Sequence, residues 1–437
     1  MTAAARTALA FATVLAAAAC ETVPPPLLHG AAAYYEGAPP LAVIPPAAPR
    51  PVARLASARA LGPAATLAPF FAALEASETG AAAEPVVIVQ LGDSHSASDF
   101  LSGALRDLFQ ERFGAAGRGM LPPGVAYSYA RPEFAEVAES EGWRRAGSLS
   151  GAGPFGIAGV LQQSAQAGAR MTLTETEPPG FDRAFFEVLR QPGAGALRLR
   201  VDGGAIHEFA TDAPAIGPHW IEFDAPRGSH ALQLTAADER PVTVLAWGTQ
   251  RRQRGIIYEN LGVSGATIGV IGHWHAGTVA AELRRRAPAL IVVAYGTNEA
   301  AAPPAGLTGY AERFAARVGQ LSAASPQSAI LVIGPPDVSR RAHGGHGECR
   351  AWTTPPGLAI VREAQRAAAA RHGWYFWDWQ EAMGGTCASD RWARLEPPLA
   401  APDHVHLRPE GYRASAHILF AVLMDGYRRY RAVAVSS

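Results

Sequence analysis

Two short segments of this sequence carry the residue types that nucleophilic catalysis needs. A GDSH stretch at residues 92–95 places Ser94 directly after an apolar run, and Asp403 and His406 stand three residues apart near the end of the chain. A hydroxyl is a poor nucleophile at neutral pH, so it needs a base, and the base needs a partner that fixes its tautomer. Because Asp403 and His406 can meet that need from one loop, the pattern is typical of nucleophilic catalysis through Ser94.

Each segment also has a purely structural interpretation. Ser94 or Asp93 can cap a helix in an ordinary strand-to-helix turn, and Asp403 with His406 can form an inert ion pair at a helix start. A metal site is a further alternative, in which His404 and His406 join other histidines. Those histidines are His273, His275, His343 and His346. Histidines scattered over loops without matching carboxylates are usually solvated, so we expect no bound metal.

The only two asparagines of the chain both follow predicted strands. Asn260 opens the segment NLGVSGAT, and Asn298 lies in YGTNE. A side-chain amide at the end of a parallel strand can donate to a developing oxyanion, as can the N–H of a flexible glycine such as Gly265, and losing one such donor costs about 3 kcal/mol. The alternatives are a helix cap or turn former for Asn298 and a turn glycine for Gly265.

Five apolar runs predict strands that are buried on both faces of a parallel sheet. They are Val86–Leu91, Gly255–Glu259, Ala289–Ala294, Ala329–Ile333 and Trp374–Trp377. Amphipathic helices alternate with the later runs, so the pattern predicts a doubly wound α/β sheet. Open sheets of this kind bind ligands at the carboxyl ends of their strands, which is where the polar segments described above begin.

The region from 133 to 250 breaks this alternation. Short strands of alternating polarity, separated by Gly, Pro and Asp turns, predict a β-sandwich. Because the region falls between the first and second α/β strands, we expect an inserted domain, which leaves 66–132 and 251–437 as the two parts of the α/β domain. Trp143, Trp220 and Trp247 are either sugar-stacking residues of this domain or residues of its core and hinge.

The N-terminal region predicts export. Residues 1–20 have a basic start and a short apolar run, as in a secretory signal, and residues 21–65 form a proline-rich tether. The run ends in AAAAC, which resembles a lipobox with Cys20 as the lipidated residue. Ala17 occupies the position where a leucine is usual, so plain signal cleavage is the alternative. We expect a periplasmic or envelope location, with a membrane contact only if Cys20 is processed.

Composition limits the remaining possibilities. The 38 basic and 38 acidic residues balance, so no net charge recruits nucleic acid. Besides Cys20 the chain contains only Cys349 and Cys387, and in an oxidising compartment we expect them to form a disulfide, which adds about 4 kcal/mol of stability. The alternative is two free buried thiols. A zinc site is disfavoured because no C-x-x-C pair exists.

Taken in order, these segments resemble the four sequence blocks of the SGNH (GDSL-type) hydrolase superfamily. The first block corresponds to Ser94, the second to Gly265, the third to Asn298 and the last, D-x-x-H, to Asp403 and His406. The resemblance implies a three-layer α/β/α sheet of flavodoxin-like order. It also implies Ser94, His406 and Asp403 as a catalytic triad, an oxyanion hole made by Ser94, Gly265 and Asn298, and no metal or organic cofactor.

Further features resemble one branch of that superfamily, the bacterial peptidoglycan O-acetylesterases. These features are the GDSH variant, GAAGRGM, DWQEAMGG and a sandwich between the first two blocks, where the branch carries a domain similar to a carbohydrate-binding module. The resemblance implies an O-acetylated cell-wall glycan as substrate. Two alternatives remain: a glycan O-acetyltransferase with the same triad, and a non-catalytic glycan-binding envelope lipoprotein.

Overall fold

The computed structural model describes residues 63–127 and 132–436. The predicted signal segment with Cys20, and the predicted tether up to residue 62, lie outside the described residues. The strands are β1 (Val86–Gly92), β2 (Gly119–Leu121), β3 (Ala135–Glu139), β4 (Arg144–Gly147), β5 (Val160–Ser164), β6 (Arg170–Glu175), β7 (Phe181–Arg190), β8 (Ala196–Val201), β9 (Ile206–Ala210), β10 (Gly217–Ser229), β11 (Ala231–Ala236), β12 (Val242–Gln250), β13 (Ile256–Asn260), β14 (Leu290–Ala294), β15 (Ala329–Ile333), β16 (Arg340–Arg341), β17 (Trp352–Thr353) and β18 (Tyr375–Trp377).

The helices flank and follow the strands of the α/β part. They are α1 (Pro63–Thr66), α2 (Ala68–Thr79), α3 (Ser94–Ala97), α4 (Phe100–Phe113), α5 (Ala276–Arg286), α6 (Thr297–Ala300), α7 (Tyr310–Ala324), α8 (Pro356–His372), α9 (Trp379–Ala382), α10 (Ala388–Ala393) and α11 (Pro409–Ser436). Among the described residues, no helix is both long enough and apolar enough to cross a membrane.

The central sheet is fully parallel, with the strand order β13-β1-β14-β15-β18. In order of appearance along the chain this is second, first, third, fourth and fifth, which is the flavodoxin-like order of a doubly wound sheet. The predicted fold is therefore confirmed. The register sets Gln90 opposite Asn260 and Gly92 opposite Ala294, so the carboxyl ends of β13, β1 and β14 meet at one edge.

Both faces of this sheet are buried, as its unbroken apolar runs require. Val87, Val89 and Leu91 belong to a core shared with α5, α7 and α8. Alternate residues of β1, Val86 and Ile88, belong to a second core formed with α2, α4 and α11. The sheet thus lies between two helical layers, and the alternation of side chains along each strand supplies both cores.

Residues 135–250 form two antiparallel sheets that pack face to face as a sandwich. One has the order β10-β7-β12-β5-β4, with β2 also paired to β12, and the other has the order β3-β6-β11-β8-β9. Phe186 and Val188 of β7 point into the core between the two sheets. Phe185 and Leu189 of the same strand belong instead to the core of the α/β part. The first sheet is therefore buried on both faces, so the sandwich packs directly on the α/β part.

The tryptophans of the sandwich serve packing. Trp247 is fully buried and donates its ring N–H to Pro122 O at 2.9 Å. Trp220 is partly buried and stacks on Phe185, with ring centroids 4.6 Å apart, and Trp143 packs against the sandwich core. The core-and-hinge interpretation of these residues therefore holds in the structure.

The expected disulfide is present. Cys349 and Cys387 are joined, with their Cα atoms 5.3 Å apart and a sequence separation of 38. The bond connects the short hairpin of β16 and β17 to the start of α10. It therefore cross-links two segments that precede Asp403 in the chain.

Candidate active site

A chain of hydrogen bonds joins the first and last chemistry-bearing segments across 312 residues of sequence. Ser94 Oγ lies 3.0 Å from His406 Nε2, and His406 Nδ1 lies 2.7 Å from Asp403 Oδ2. The other carboxylate oxygen of Asp403 accepts from the backbone N–H groups of Val405 and His406 at 3.0 and 2.9 Å. The structure thus brings together the three residues predicted to form a triad, at the distances that proton transfer requires.

The electrostatics of this chain suit a base and its partner. Although burial opposes it, the hydrogen bonds from His406 and the two backbone N–H groups hold the pKa of Asp403 at about 2. The hydrogen bond from Asp403 in turn raises the pKa of His406 above its usual value. Asp403 is therefore ionised at neutral pH, and it stabilises positive charge on His406.

Ser94 owes its position to the junction of β1 and α3. It is the first residue of α3, and Asp93 caps that helix by accepting from the His95 N–H at 3.0 Å. The structural interpretation of the GDSH turn is thus correct for Asp93, while Ser94 points its hydroxyl to His406. Because the first N–H groups of a helix have no intrahelical acceptor, the Ser94 N–H is free to bind a ligand.

Buried aromatic side chains pack around His95, the residue that follows Ser94. The His95 ring is buried, and its Nδ1 lies 2.9 Å from Tyr412 Oη. It also packs 5.4 Å from the rings of both Trp379 and His406. Burial and then the nearby His406 lower the pKa of His95 to about 3, so this ring is neutral and adds no charge beside the base. The contact of Tyr412 with His95, and that of Trp379 within the DWQEAMGG segment, could not be predicted because nothing in their spacing connects these residues to Ser94.

The second and third blocks meet the first at the sheet edge. The Val263 N–H donates to Gly92 O at 2.8 Å, which ties the loop carrying Gly265 to the residue two before Ser94. The Asn298 side chain donates to Ala266 O at 2.8 Å. Gly265 has a φ of +79° with open space where a Cβ would lie, so backbone conformation is the constraint that favours glycine there. The cap of α6 is Gly296, so Asn298 is not the helix cap.

Asn260 has a different role from Asn298. Its amide donates to Ser96 O at 2.6 Å and to Asp99 Oδ1 at 3.0 Å, and its own Oδ1 accepts from the Gly262 N–H. Both amide hydrogens are therefore occupied within the protein. The tertiary structure therefore uses this amide to hold the turn after Ser94, which leaves Asn298 as the asparagine available to an oxyanion.

Asp99 connects the site to the sandwich. Its carboxylate accepts from Arg106, Arg118 and the Glu133 N–H at 2.8–2.9 Å, besides Asn260. Burial opposes ionisation, but Arg106 and Arg118 hold the pKa of this carboxyl far below its usual range. A single carboxylate thereby joins the turn after Ser94 to Glu133, where the sandwich begins.

The histidines considered as metal ligands do not gather. His404 stacks on Trp352, His273 binds Ser148 O through Nδ1, and His275 contacts Thr278. Over residues 63–127 and 132–436, no group of three or more His, Cys, Asp or Glu side chains is placed to hold a metal ion.

The parallel α/β sheet, with a serine, histidine and aspartate linked at its carboxyl edge, has the arrangement of a serine hydrolase. The GDSL-like Lipase/Acylhydrolase family matches residues 228–414. The match begins late in the sandwich, so it includes Gly265, Asn298, Asp403 and His406 but not Ser94, which the insertion separates from them. The chain contains a GDSL/SGNH acylhydrolase domain and is a carboxylic-ester hydrolase.

Solved structures similar to this chain include one titled "Peptidoglycan O-acetylesterase in action, 5 min". It is 26% identical, with a TM-score of 0.70, and the alignment covers 83% of this chain and 96% of that chain. A family two carbohydrate esterase from Cellvibrio japonicus is 11% identical with a TM-score of 0.27, covering 67% of this chain and 98% of that one. The second likeness is too low to support an argument. No curated protein matches.

Proposed function

We propose that the protein is a serine esterase of the cell envelope that removes O-acetyl groups from glycan, with the O-acetylated N-acetylmuramic acid of peptidoglycan as its substrate. The observation that carries this proposal is the chain of hydrogen bonds from Ser94 through His406 to Asp403. The structural likeness to a peptidoglycan O-acetylesterase over most of both chains supports the choice of substrate.

The distances allow a two-step mechanism. His406 Nε2 takes the Ser94 proton as Oγ attacks the acetyl carbonyl, and Asp403 stabilises the resulting imidazolium. The tetrahedral intermediate collapses, His406 returns the proton to the departing sugar oxygen, and an acetyl group remains on Ser94. A water molecule deprotonated by His406 then attacks this ester, so acetate leaves and the serine hydroxyl is restored.

Three donors would bind the oxyanion of the intermediate. They are the Ser94 N–H at the start of α3, the N–H of Gly265 and the second amide hydrogen of Asn298, whose first hydrogen is bound to Ala266 O. Tethering Asn298 and the Gly265 loop to each other sets these donors before substrate arrives. Such preorganisation is the usual source of the largest single contribution to acyl transfer.

A cavity beside α3 offers space for the sugar. It has a volume of about 380 Å³ and is lined by Ala97, the last residue of α3, and by Gly262 of the second block. Tyr127 and Arg118 also line it, and an aromatic ring with polar neighbours suits a pyranose. The wall contributed by Glu136 and Val137 belongs to the sandwich, so we propose that both parts of the protein contact the glycan.

The proposed envelope location rests on the sequence of the N-terminal region rather than on the active site. We propose export with residues 1–20 as signal and, if Cys20 is processed, a lipid anchor that leaves the enzyme facing the cell wall. The disulfide between Cys349 and Cys387 is compatible with an oxidising compartment.

The test is acetate release from O-acetylated peptidoglycan by the wild type, by Ser94→Ala and by Ser322→Ala, a serine on α7 outside the site. We expect release by the wild type and by Ser322→Ala and none by Ser94→Ala. Release by Ser94→Ala near the wild-type rate would overturn the nucleophile assignment. If acetyl groups instead move to an added glycan acceptor without net acetate release, the enzyme is a transferase.

A further inference from the structure

The turn between Asp403 and His406 contains a residue that the catalytic steps do not use. His404 has a φ of +55° and its side chain is buried. Its backbone is held on both sides, because its N–H donates to Ala401 O at 3.1 Å and its carbonyl accepts from the Ser339 N–H at 2.9 Å. The turn that aims the triad base is thus built around one residue in the left-handed region.

That conformation needs support from outside the turn. A residue with a side chain is less stable in the left-handed region than in the ordinary helical or extended regions, although histidine adopts it more readily than most residues. The turn is also what directs the N–H groups of Val405 and His406 to Asp403 Oδ1. If the turn relaxed to ordinary backbone angles, the two hydrogen bonds to Asp403 and the orientation of His406 toward Ser94 would be lost together.

The external support is an aromatic stack. The His404 ring lies parallel to the Trp352 ring, with centroids 3.6 Å apart and 14° between the planes. Burial lowers the pKa of His404, so the ring is neutral and can stack face to face on Trp352 without burying a charge. Burying one aromatic ring against another stabilises the contact, so the stack offsets the cost of the left-handed turn.

Trp352 is itself firmly placed. Its backbone exchanges two hydrogen bonds with Cys349, at 3.0 and 3.1 Å, and it pairs with Arg341 across the β16–β17 hairpin. The guanidinium of Arg341 lies 4.9 Å from the centre of the Trp352 ring. The disulfide from Cys349 to Cys387 then fixes this hairpin to α10.

A second connection runs from α10 back to the turn. Ser389 of α10 contacts Ser339 through their hydroxyl groups at 2.8 Å, and its N–H and hydroxyl donate to Asp337 Oδ2 at 2.8 and 3.0 Å. Ser339 in turn donates its N–H to His404 O. The His404 ring is therefore held by Trp352, within the disulfide loop. Its carbonyl is held by Ser339, which is linked to α10 through Ser389, two residues after Cys387.

We propose that Trp352 and His404 are positioning residues: their stack, anchored by the Cys349–Cys387 disulfide, holds the Asp403–His406 turn in the geometry that brings His406 to Ser94. The inference rests on the proposed triad. Neither ring touches the reacting atoms, so the loss should fall on kcat and leave KM nearly unchanged.

The experiment measures kcat, KM and the pH profile with a small activated acetyl ester, which needs the triad but not the glycan. The variants are Trp352→Ala, Trp352→Phe, which keeps a ring to stack, and His404→Asn, which keeps the preference for a left-handed turn. The matched control is His372→Ala, because His372 stacks on Trp374 with centroids 4.6 Å apart in another part of the α/β domain.

We expect kcat to fall about tenfold or more in Trp352→Ala and His404→Asn, with the apparent pKa of His406 moving down toward 6.5 as its bond to Asp403 loosens. Trp352→Phe should recover most of the rate, and His372→Ala should equal the wild type. A folded His404→Asn with kcat within twofold of wild type and an unchanged pH profile overturns the inference, and so does an equal loss in His372→Ala.

The disulfide is tested by a double variant, Cys349→Ser with Cys387→Ser. It should lose activity in the wild-type background but lose little more when combined with Trp352→Ala, because both changes act through the same stack. Fully additive losses would show that the disulfide does not act through Trp352. Failure of the proposed function is a separate result, since it appears as no acetate release from peptidoglycan by an enzyme that hydrolyses the small ester.

Discussion

Two carboxylate sites in this protein have opposite protonation behaviour. Asp403 receives hydrogen bonds from His406 and from two backbone N–H groups, and its pKa falls to about 2. Glu187 of β7 and Glu282 of α5 meet where the sandwich packs on the α/β part, and both are buried. Burial first, and then the neighbouring carboxyl group, raise the pKa of Glu187 well above its usual range.

The difference lies in the donors. At the interface, Glu282 Oε2 accepts from the Ile157 N–H at 2.6 Å, while Glu282 Oε1 and Glu187 Oε2 have no hydrogen-bond partner other than each other's carboxyl group. The nearby cation, Arg286, is paired with Glu259 at 2.6 Å. Because desolvated carboxylates repel each other without a donor, we expect the pair to hold a shared proton. The number of hydrogen-bond donors around a carboxyl group, more than its residue type, therefore decides whether it is ionised.

The two sites therefore respond to pH in opposite directions. Asp403 has a folded-state pKa below the unfolded value of 3.8, so its contribution to stability is present above that pH and is lost in acid. Glu187 and Glu282 have folded-state pKa values above 4.5. Their contribution is complete below pH 4.5 and is lost as the pH rises through their folded pKa values.

The largest expected difference between the sites is in turnover. Asp403→Asn should lower kcat/KM by about 10⁴, since the amide favours the wrong tautomer of His406. Glu282→Gln should stay within a few-fold of wild type, because it is remote from the reacting atoms. Both are measured as initial rates on an activated acetyl ester. A similar loss in both variants would mean that the interface pair takes part in the chemistry.

The second prediction concerns the pH dependence of the wild-type enzyme. The base must be neutral, and the hydrogen bond to Asp403 raises the pKa of His406, so kcat/KM should rise with pH through an apparent pKa above 6.5. Below that value the rate should fall about tenfold per pH unit. Initial rates between pH 5 and 9 give the profile. An apparent pKa well below 6.5 in this profile would contradict the hydrogen bond between Asp403 and His406.

The third prediction concerns the stability of the interface. In Glu187→Gln an amide replaces one acid and donates to Glu282, so the unfolding free energy should fall less steeply with pH than in wild type. The slope removed is up to about 1.4 kcal/mol per pH unit, and urea unfolding at pH 5, 6, 7 and 8 measures it. Glu208→Gln, at an exposed pair with Arg198, is the control. Parallel curves for wild type and Glu187→Gln would refute the shared proton.

The smallest expected effect comes from Gly156. A Cβ on this residue would lie 1.9 Å from Glu282 Oε1, so Gly156→Ala should displace the carboxyl pair and destabilise the fold by about 1–3 kcal/mol. Gly217→Ala, where a Cβ meets open space, serves as the matched control. Thermal unfolding compares the two. The pH profile of kcat/KM should not change in either variant, and a change in Gly156→Ala would couple the interface to the base.

Much of the fold was predictable because it depends on local pattern. Each of the five parallel strands lies within a residue or two of its apolar run, since burial on both faces leaves no polar positions. Some strands of the sandwich lack such a local pattern. The strand β9, for example, is mostly exposed and carries few apolar residues, so only its pairing with β8 defines it.

The residues of the active site also fall into two groups, those predictable from local sequence and those whose role only the structure shows. Ser94, Asp403 and His406 could be identified because their residue types and order along the chain are specific to one chemistry, and Asp403 reaches His406 within a single turn. The block resemblance assigns the oxyanion donor to Asn298, but only the structure shows that the Asn260 amide is occupied by Ser96 and Asp99.

The sequence by itself thus determined the parallel sheet, the order of the blocks and the residues able to do acyl chemistry, because these depend on periodicity and on residue type. Tertiary structure alone decided that Trp352 lies on His404 and that Glu187 meets Glu282. The partners in these contacts are 52 and 95 residues apart along the chain. Their existence depends on how separate elements pack, and their energetics depend on which donors that packing leaves within reach.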